Sequence, residues 1–340
     1  MNEIQNIKPI KMPSINQFKQ VQYDINKMLD KGIFKELPKI KFNYTIKIHG
    51  TNASIMIDKD NSIYAQKKDN IITPTKDNFG FALYVETNKE FFKEVLSNLK
   101  EILNTTELVV YGEWASEGVQ RGVGVSELPK TFYAFGIKYK HPNGDYYSWV
   151  QNPKDLLKTI INKDINSRSV FEFKNDIIEI DFNNPKESIN IINDVVQEVE
   201  NECPVAKAQG VSGIGEGIVL VGYLDDNRFI FKAKGEKHSN TKVKKLKKVD
   251  IELENKKIEF ANYATPSWRL EQMYQELISQ KGKDEVNIKD TGTFIKMVIA
   301  DIIKEELIEL SERGFTEIKE VQGYISKICS KWFRDEIAKV

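Results

Sequence analysis

Two spacings of apolar residues divide this chain. Up to about residue 240, short apolar stretches of strand character are interspersed with helical segments, whereas beyond residue 250 only the helical spacing persists. In the first part, Ile46 to Ile57 and Ser62 to Gln66 read as the arms of a hairpin turned at Asp58-Lys-Asp-Asn61. A lead-in helix is expected near Ile15 to Leu29. Another is expected from Asn88 to Leu103, where Phe91, Val95, Leu99 and Ile102 share a face and Asn88 stands at the capping position. Gly112 and Phe135 fall on strand patterns; Pro153 to Ile161 and Ser188 to Glu202 fall on helical ones, the second stopping at Pro204. The mixture predicts an α+β fold of antiparallel sheets with peripheral helices.

In the second part, Thr265-Pro266 opens a helix that runs to about Gln280 and Gly282. Thr293 to Arg313 forms a second, stopped by Gly314. Thr316 to Ile337 forms a third, with Ile318, Val321, Ile325, Ile328 and Trp332 on one face. Three such helices make a small all-α C-terminal domain. A chain of 340 residues is expected to hold two domains, drawn here as 1–245 and 250–340, with the boundary in a lysine-rich stretch near residues 243 to 250.

Composition narrows the class. With 29% charged and 40% hydrophobic residues, and no apolar run near the roughly 20 residues a membrane span needs, the chain reads as a soluble enzyme, expected to be cytoplasmic, monomeric and without a secretion signal. Cys203 and Cys329 are too few for a disulfide framework or a structural zinc site. Formal net charge is zero, which argues against gross nucleic-acid affinity. Locally, however, Lys232, Lys234, Lys237, Lys242, Lys244, Lys245, Lys247 and Lys248 meet only Glu236 in opposition before Asp250. Such a run can pair with several phosphates; a solvated linker is the plain alternative. His141 and His238 lack metal-ligand spacing and read as surface residues.

Candidate chemistry centres on Lys47, a lone amine between Ile46 and Ile48 just before Gly50. An apolar setting favours the neutral, nucleophilic amine, and Gly50 lets the backbone approach a ligand. The spacing Lys-x-x-Gly alone says little: it occurs four times, against about 2.5 expected by chance from 19 glycines in 340 residues. Order and context carry more. Downstream lie apolar stretches interrupted by charge: Leu108-Val-Val-Tyr-Gly-Glu113-Trp-Ala, Gly215-Glu216-Gly-Ile-Val-Leu-Val-Gly222 and Arg228-Phe-Ile-Phe-Lys232-Ala-Lys234-Gly. Between the first two runs the aromatic strand Thr131 to Tyr139.

This ordered set resembles the covalent nucleotidyltransferases, the polynucleotide ligases and mRNA capping enzymes, and within them the phage RNA ligase 2 and trypanosome RNA-editing ligase group. The resemblance rests on Lys47-Ile-His-Gly-Thr-Asn52, Gly112-Glu113-Trp114, Phe132-Tyr-Ala-Phe135, Glu216-Gly-Ile-Val219 and Lys232-Ala-Lys234, and spans roughly residues 40 to 240. Gly136 and Ile46 depart from the acidic residues usual in the group after the phenylalanine and before the nucleophile.

The resemblance implies a nucleotidyltransferase (ATP-grasp-like ligase) domain followed by a helical domain that grips RNA. It also implies an ATP-dependent RNA ligase that works through lysyl-AMP with Mg2+ or Mn2+. A DNA ligase, a capping-type guanylyltransferase and a decayed RNA-binding module are the alternatives. By the same resemblance Lys47 is the nucleophile. Glu113 binds mainly the ribose and Glu216 mainly the metal, with a structural salt bridge the plain reading of either. Phe135 stacks on adenine or simply packs in the core, while His49 and Asn52 order the nucleotide. Lys232 and Lys234 serve the phosphates, and are expected on opposite sides of their strand with unequal roles. Lys67 or Lys68 contacts the 5′-phosphate end, and Arg121, in a glycine-rich loop, contacts RNA.

Overall fold

The computed structural model describes residues 7–238, 250–282 and 285–339. The expected domain boundary and Lys242, Lys244, Lys245, Lys247 and Lys248 lie outside the described residues. In chain order the elements are α1 (Phe18–Asp30), β1 (Lys39–Ile46), β2 (Thr51–Ile57), β3 (Ile63–Lys67), β4 (Asn70–Ile72), α2 (Phe81–Thr87) and α3 (Lys89–Ile102). There follow β5 (Leu108–Ala115), β6 (Thr131–Lys140), β7 (Tyr147–Trp149), β8 (Ser167–Ser169), β9 (Asn175–Asp181), α4 (Lys186–Asn201), α5 (Pro204–Lys207), β10 (Gly217–Leu224) and β11 (Asn227–Lys234). The remainder is helical: α6 (Ile251–Ala264), α7 (Ser267–Lys281), α8 (Thr291–Glu305), α9 (Leu307–Glu312) and α10 (Gln322–Ile337). Two compact units result, 1–248 and 249–340.

The first unit holds two sheets. One has the order β11-β10-β1-β9; the other runs β4-β3-β2-β5-β6-β7, with β8 added beside β6. Pairing is antiparallel except for β6 with β8. Strict alternation in β1 buries Ile40, Phe42, Tyr44 and Ile46 and turns Lys41, Asn43 and Thr45 the other way. The buried face of that sheet packs on Phe18, Val21 and Ile25 of α1 and on Ile192, Val196 and Val199 of α4. The second sheet is covered by α2 and α3 through Phe81, Phe92, Leu96 and Leu99. Each such large side chain, fully buried, stabilises the fold by about 1.5–3 kcal/mol.

The predicted strand from Ile46 to Ile57 is not one strand. Its first residue closes β1 in one sheet, the rest forms β2 in the other, and residues 47–50 cross between them. Gly50 is what permits the crossing: a Cβ there would lie 2.3 Å from the Trp114 carbonyl oxygen and 2.7 Å from the Ala115 Cβ. The close approach is therefore to β5, not to a ligand. The hairpin half of the expectation holds, with Ser54 opposite Gln66 and Ile57 opposite Ile63.

Helix boundaries also shift. Asn88 precedes α3, but its side chain donates back to the Tyr84 carbonyl at 2.8 Å and caps nothing. Only a 3₁₀ turn, Leu156–Ile160, forms in the segment from Pro153. The expected helix from Thr293 to Arg313 is two, interrupted at Glu306, whose carboxylate turns to Arg269 at 2.7 Å. The helix α6 was unanticipated because its charge-rich sequence buries only Phe260, Ala261 and Ala264. Asp250 caps it by accepting from the Leu253 amide. Among the described residues no helix is long and apolar enough to cross a membrane.

Candidate active site

The crossing at residues 47–50 is anchored at both ends. Lys47 N donates to the Gly217 carbonyl at 2.9 Å, extending the β1–β10 ladder by one bond. Gly50 N donates to Glu113 Oε1 at 3.2 Å, on β5 of the other sheet. Lys47 is thus held where the sheets meet, at the side of a cavity of about 550 Å³. From the first sheet the cavity is lined by Lys41, Asn43, Val219, Tyr223, Arg228 and Lys232; from the second by Asn52, Glu113, Phe135, Gly136 and Trp149. A strap, residues 12–15, forms another wall. Its approach is fixed where Gln66 brackets the Ile10 peptide, accepting from its amide at 3.3 Å and donating to its carbonyl at 2.9 Å.

Glu216, just before β10, is the hub. It is 2% exposed, and its Oε2 lies 2.6 Å from Lys47 Nζ and 3.2 Å from His49 Nδ1, while Oε1 lies 2.5 Å from Lys234 Nζ. Burial by itself would raise its pKa, but His49, Lys47 and Lys234 together outweigh that and hold it well below the usual carboxylate range. The amine of Lys47 therefore meets an anion and not the purely apolar setting its sequence neighbours suggest. Ile46 and Ile48 are buried and line the same cavity, yet the partner the amine finds is the carboxylate.

Glu113 behaves oppositely. Burial pushes it up to about 7; the charge of Lys47 opposes that rise and the charge of Glu216 adds to it. In the β2–β5 register Glu113 stands opposite Asn52, whose Oδ1 is buried with no hydrogen-bond partner. The two glutamates expected to hold a metal are thus brought together. Among the described residues no group of three or more His, Cys, Asp or Glu side chains is arranged to hold a metal ion, His49 being turned to Glu216 as its hydrogen-bond partner.

Lys232 and Lys234 do not lie on opposite sides of β11. Residues two apart on a strand share a face, and here Lys234 meets Glu216 while Lys232 lines the cavity. Burial lowers the pKa of Lys232, and the nearby charges of Lys234 and Lys47 lower it further. Phe135 is half-buried on the cavity wall, neither fully exposed nor sealed in the core. Of the two lysines after β2, only Lys68 lines the cavity, with its amine 3.2 Å from Ser14 Oγ of the strap. Lys67 and Arg121 are exposed and are not among the lining residues. Sequence reasoning missed Trp149, Arg228 and the strap. For Arg228 a signal existed, since it stands four residues before Lys232 and so shares its face.

A crossing lysine bound to a buried glutamate thus stands beside a cavity lined by both sheets. The sequence model of the RNA ligase family matches residues 40–234, and the chain belongs to that family. Among solved structures it is similar to a Naegleria gruberi RNA ligase mutant with AMP and Mn, at 18% identity and a TM-score of 0.44. It is also similar to another mutant of that ligase with ATP and Mn, at 19% and 0.44, and to the Naegleria gruberi ligase with PPi, at 20% and 0.43. In each comparison 67% of this chain is covered and the match spans 57% of the other chain.

Proposed function

We propose that this protein is an ATP-dependent RNA ligase that joins a 3′-hydroxyl to a 5′-phosphate through a covalent lysyl-AMP. The observation that carries the reading is Lys47 Nζ held 2.6 Å from the buried Glu216 carboxylate at the cavity side, with Lys232 and Lys234 on the adjoining strand face.

In the first step Lys47 Nζ, having lost a proton, attacks the α-phosphorus of ATP; pyrophosphate leaves and a phosphoramidate forms. AMP then passes to an RNA 5′-phosphate, freeing Lys47. Attack by the 3′-hydroxyl on that activated end forms the phosphodiester and releases AMP. Each step is an in-line displacement at phosphorus, so positioning and charge placement are the protein's task. Lys232 and Lys234 supply positive charge where the α-phosphate and leaving group sit. Phe135, from one sheet, and Val219, from the other, line the same cavity, and Phe135 supplies the stacking face for the base. Base stacking of this kind is worth about 1–3 kcal/mol. Glu113, beside Gly50, is placed for the ribose.

Two facing carboxylates and the orphaned Asn52 oxygen are hard donors that fit Mg2+ or Mn2+. Glu113, Glu216 and Asn52 would hold it, and when bound it would neutralise charge on the α-phosphate. Before any ion binds, Glu216 keeps its geometry through Lys47, His49 and Lys234.

Lys68 is placed for a phosphate of the nucleotide or the RNA end; Lys67 and Arg121 could reach RNA only outside the cavity. The second unit, helical and without strands among the described residues, stands where DNA ligases and capping enzymes would carry a barrel. That favours the RNA-sealing reading. We take the enzyme to act in the cytoplasm, as a monomer, in RNA repair, a setting compatible with its two buried free cysteines.

Sealing assays test this reading on matched nicks of RNA/RNA, RNA/DNA and DNA/DNA with ATP and Mg2+. Joining of RNA 3′-hydroxyl ends with accumulation of a 5′-adenylated strand is expected. Sealing confined to DNA, or adduct formation with GTP in preference to ATP, would replace the reading with one of the alternatives.

A further inference from the structure

The cavity extends well past the phosphate end. Along β11, Lys232, Ile230 and Arg228 alternate onto the same lining face, so that Arg228 stands about 13 Å beyond Lys232 at 3.3 Å per residue. That span is comparable to the reach of a nucleoside from its α-phosphate to the far edge of its base. Between the two cations the lining is mostly apolar: Ile230, Val219 and Val221 on the first sheet, with Asn43 and Thr45 beside them, and Phe135 and Trp149 on the second. A cationic end, a mostly apolar middle and a second donor group thus line one cavity.

Arg228 is not a solvated surface arginine. Its guanidinium carbon sits 4.0 Å from the centroid of the Trp149 ring, and Tyr223 lies directly opposite it in the β10–β11 register. The Trp149 ring in turn occupies the space left by Gly136, where a Cβ would come within 3.1 Å of Trp149 Cζ3. Gly136 directly follows Phe135, so the arginine is braced through one indole against the residue that would stack the base. Burial lowers its pKa; opposing this are the phenol of Tyr223, to which the guanidinium is hydrogen-bonded, and that of Tyr111, with no carboxylate among them, while its Nε is buried without an acceptor. A guanidinium can only donate hydrogen bonds, and a desolvated donor lacking an acceptor is a cost the fold retains for a reason.

Resting on the lysyl-AMP reading, we propose that Arg228 is a specificity-determining residue that donates to N1 or N7, the ring-nitrogen acceptors on the purine edges away from the sugar of the bound nucleotide, with Trp149 and Gly136 as its positioning residues. Adenine offers such acceptors at N7 and N1; replacing either nitrogen with carbon deletes one acceptor and leaves the stacking face intact.

The test is lysyl-nucleotide formation by the full-length protein with ATP, 1-deaza-ATP and 7-deaza-ATP, alongside Arg228→Met. A charged donor to one acceptor predicts that one of the two analogues shows a KM about tenfold or more above that of ATP, with the rate at saturation unchanged. In Arg228→Met the KM for ATP should rise by a similar factor, and discrimination against that analogue should vanish. If both analogues match ATP in the wild-type protein, the inference is overturned without recourse to a variant. The same holds if Arg228→Met still discriminates. If the wild-type protein forms no adduct with any nucleotide, the transferase reading itself fails.

Discussion

Lys47 and Glu216, 169 residues apart in the sequence, meet at 2.6 Å. Glu216 also binds His49 and Lys234, so one buried carboxylate holds two lysine amines and an imidazole, from the crossing and one strand. Removing it leaves the Lys47 and Lys234 amines without the carboxylate that holds them. Glu216→Ala should therefore destabilise the first unit by about 3–5 kcal/mol, read as a fall in Tm, whereas Glu216→Gln should lose less stability but still lose adduct formation. A Glu216→Ala protein as stable as wild type would show that the hub does not exist in solution.

The same carboxylate sets a dependence on acid. Its pKa in the folded state is depressed, so the stability it contributes is fully present above the unfolded carboxylate range and is lost progressively as pH falls from that range through the lower folded value. The stability advantage of wild type over Glu216→Gln should stay constant through mild acid and shrink as pH falls below the ordinary carboxylate range. Thermal melts from neutral pH downward check this; equal Tm differences at every pH would contradict it.

For Glu113 the sign reverses. Its folded pKa is raised to about 7, so across the range from the ordinary carboxylate value up to about 7 the folded state binds more protons than the unfolded one. Stability then declines as pH rises through that window. Relative to Glu113→Gln, wild type should lose stability between about pH 5 and 8, and parallel Tm profiles for the two proteins would sink the assignment.

Gly50 couples fold to site. A methyl group there meets Trp114 and Ala115 of β5 at 2.3–2.9 Å, including two backbone atoms, so the crossing must move. Gly50→Ala should cost about 1–3 kcal/mol and lower adduct formation more than it lowers Tm would suggest, because Lys47 moves with the crossing. Normal activity in a folded Gly50→Ala protein would argue against the crossing as the element that aims Lys47.

Residues 250–340 carry 18 acidic and 14 basic side chains. A grip on RNA by that unit thus depends on a local arrangement, not on overall charge. A protein ending at residue 248 is expected to keep self-adenylylation and lose transfer to RNA; equal loss of both activities would remove the division of labour between the units.

How much of this was legible in the sequence differs by feature. Lys47, Glu113, Glu216, Lys232 and Lys234 could be read because charge in an apolar strand stands out against its neighbours. The β2–β3 hairpin was legible for the same kind of local reason, an alternating pattern flanking a polar turn. The division of Ile46–Ile57 between two sheets was not, because an apolar run reads the same whether it stays in one sheet or changes sheets; only the closeness of Trp114 to Gly50 reveals the crossing. Arg228 and Trp149 lie in different sheets, and their contact spans 79 residues of sequence, beyond what local spacing encodes. Asn88 failed as a cap because its amide found the Tyr84 carbonyl first.

The most direct test of the account is mass spectrometry of the purified protein after incubation with ATP and Mg2+. The account predicts an increment of one AMP on the peptide containing Lys47, absent in Lys47→Ala and removed by adding pyrophosphate or RNA ends. An unmodified Lys47 peptide, or an increment located on another residue, would contradict it.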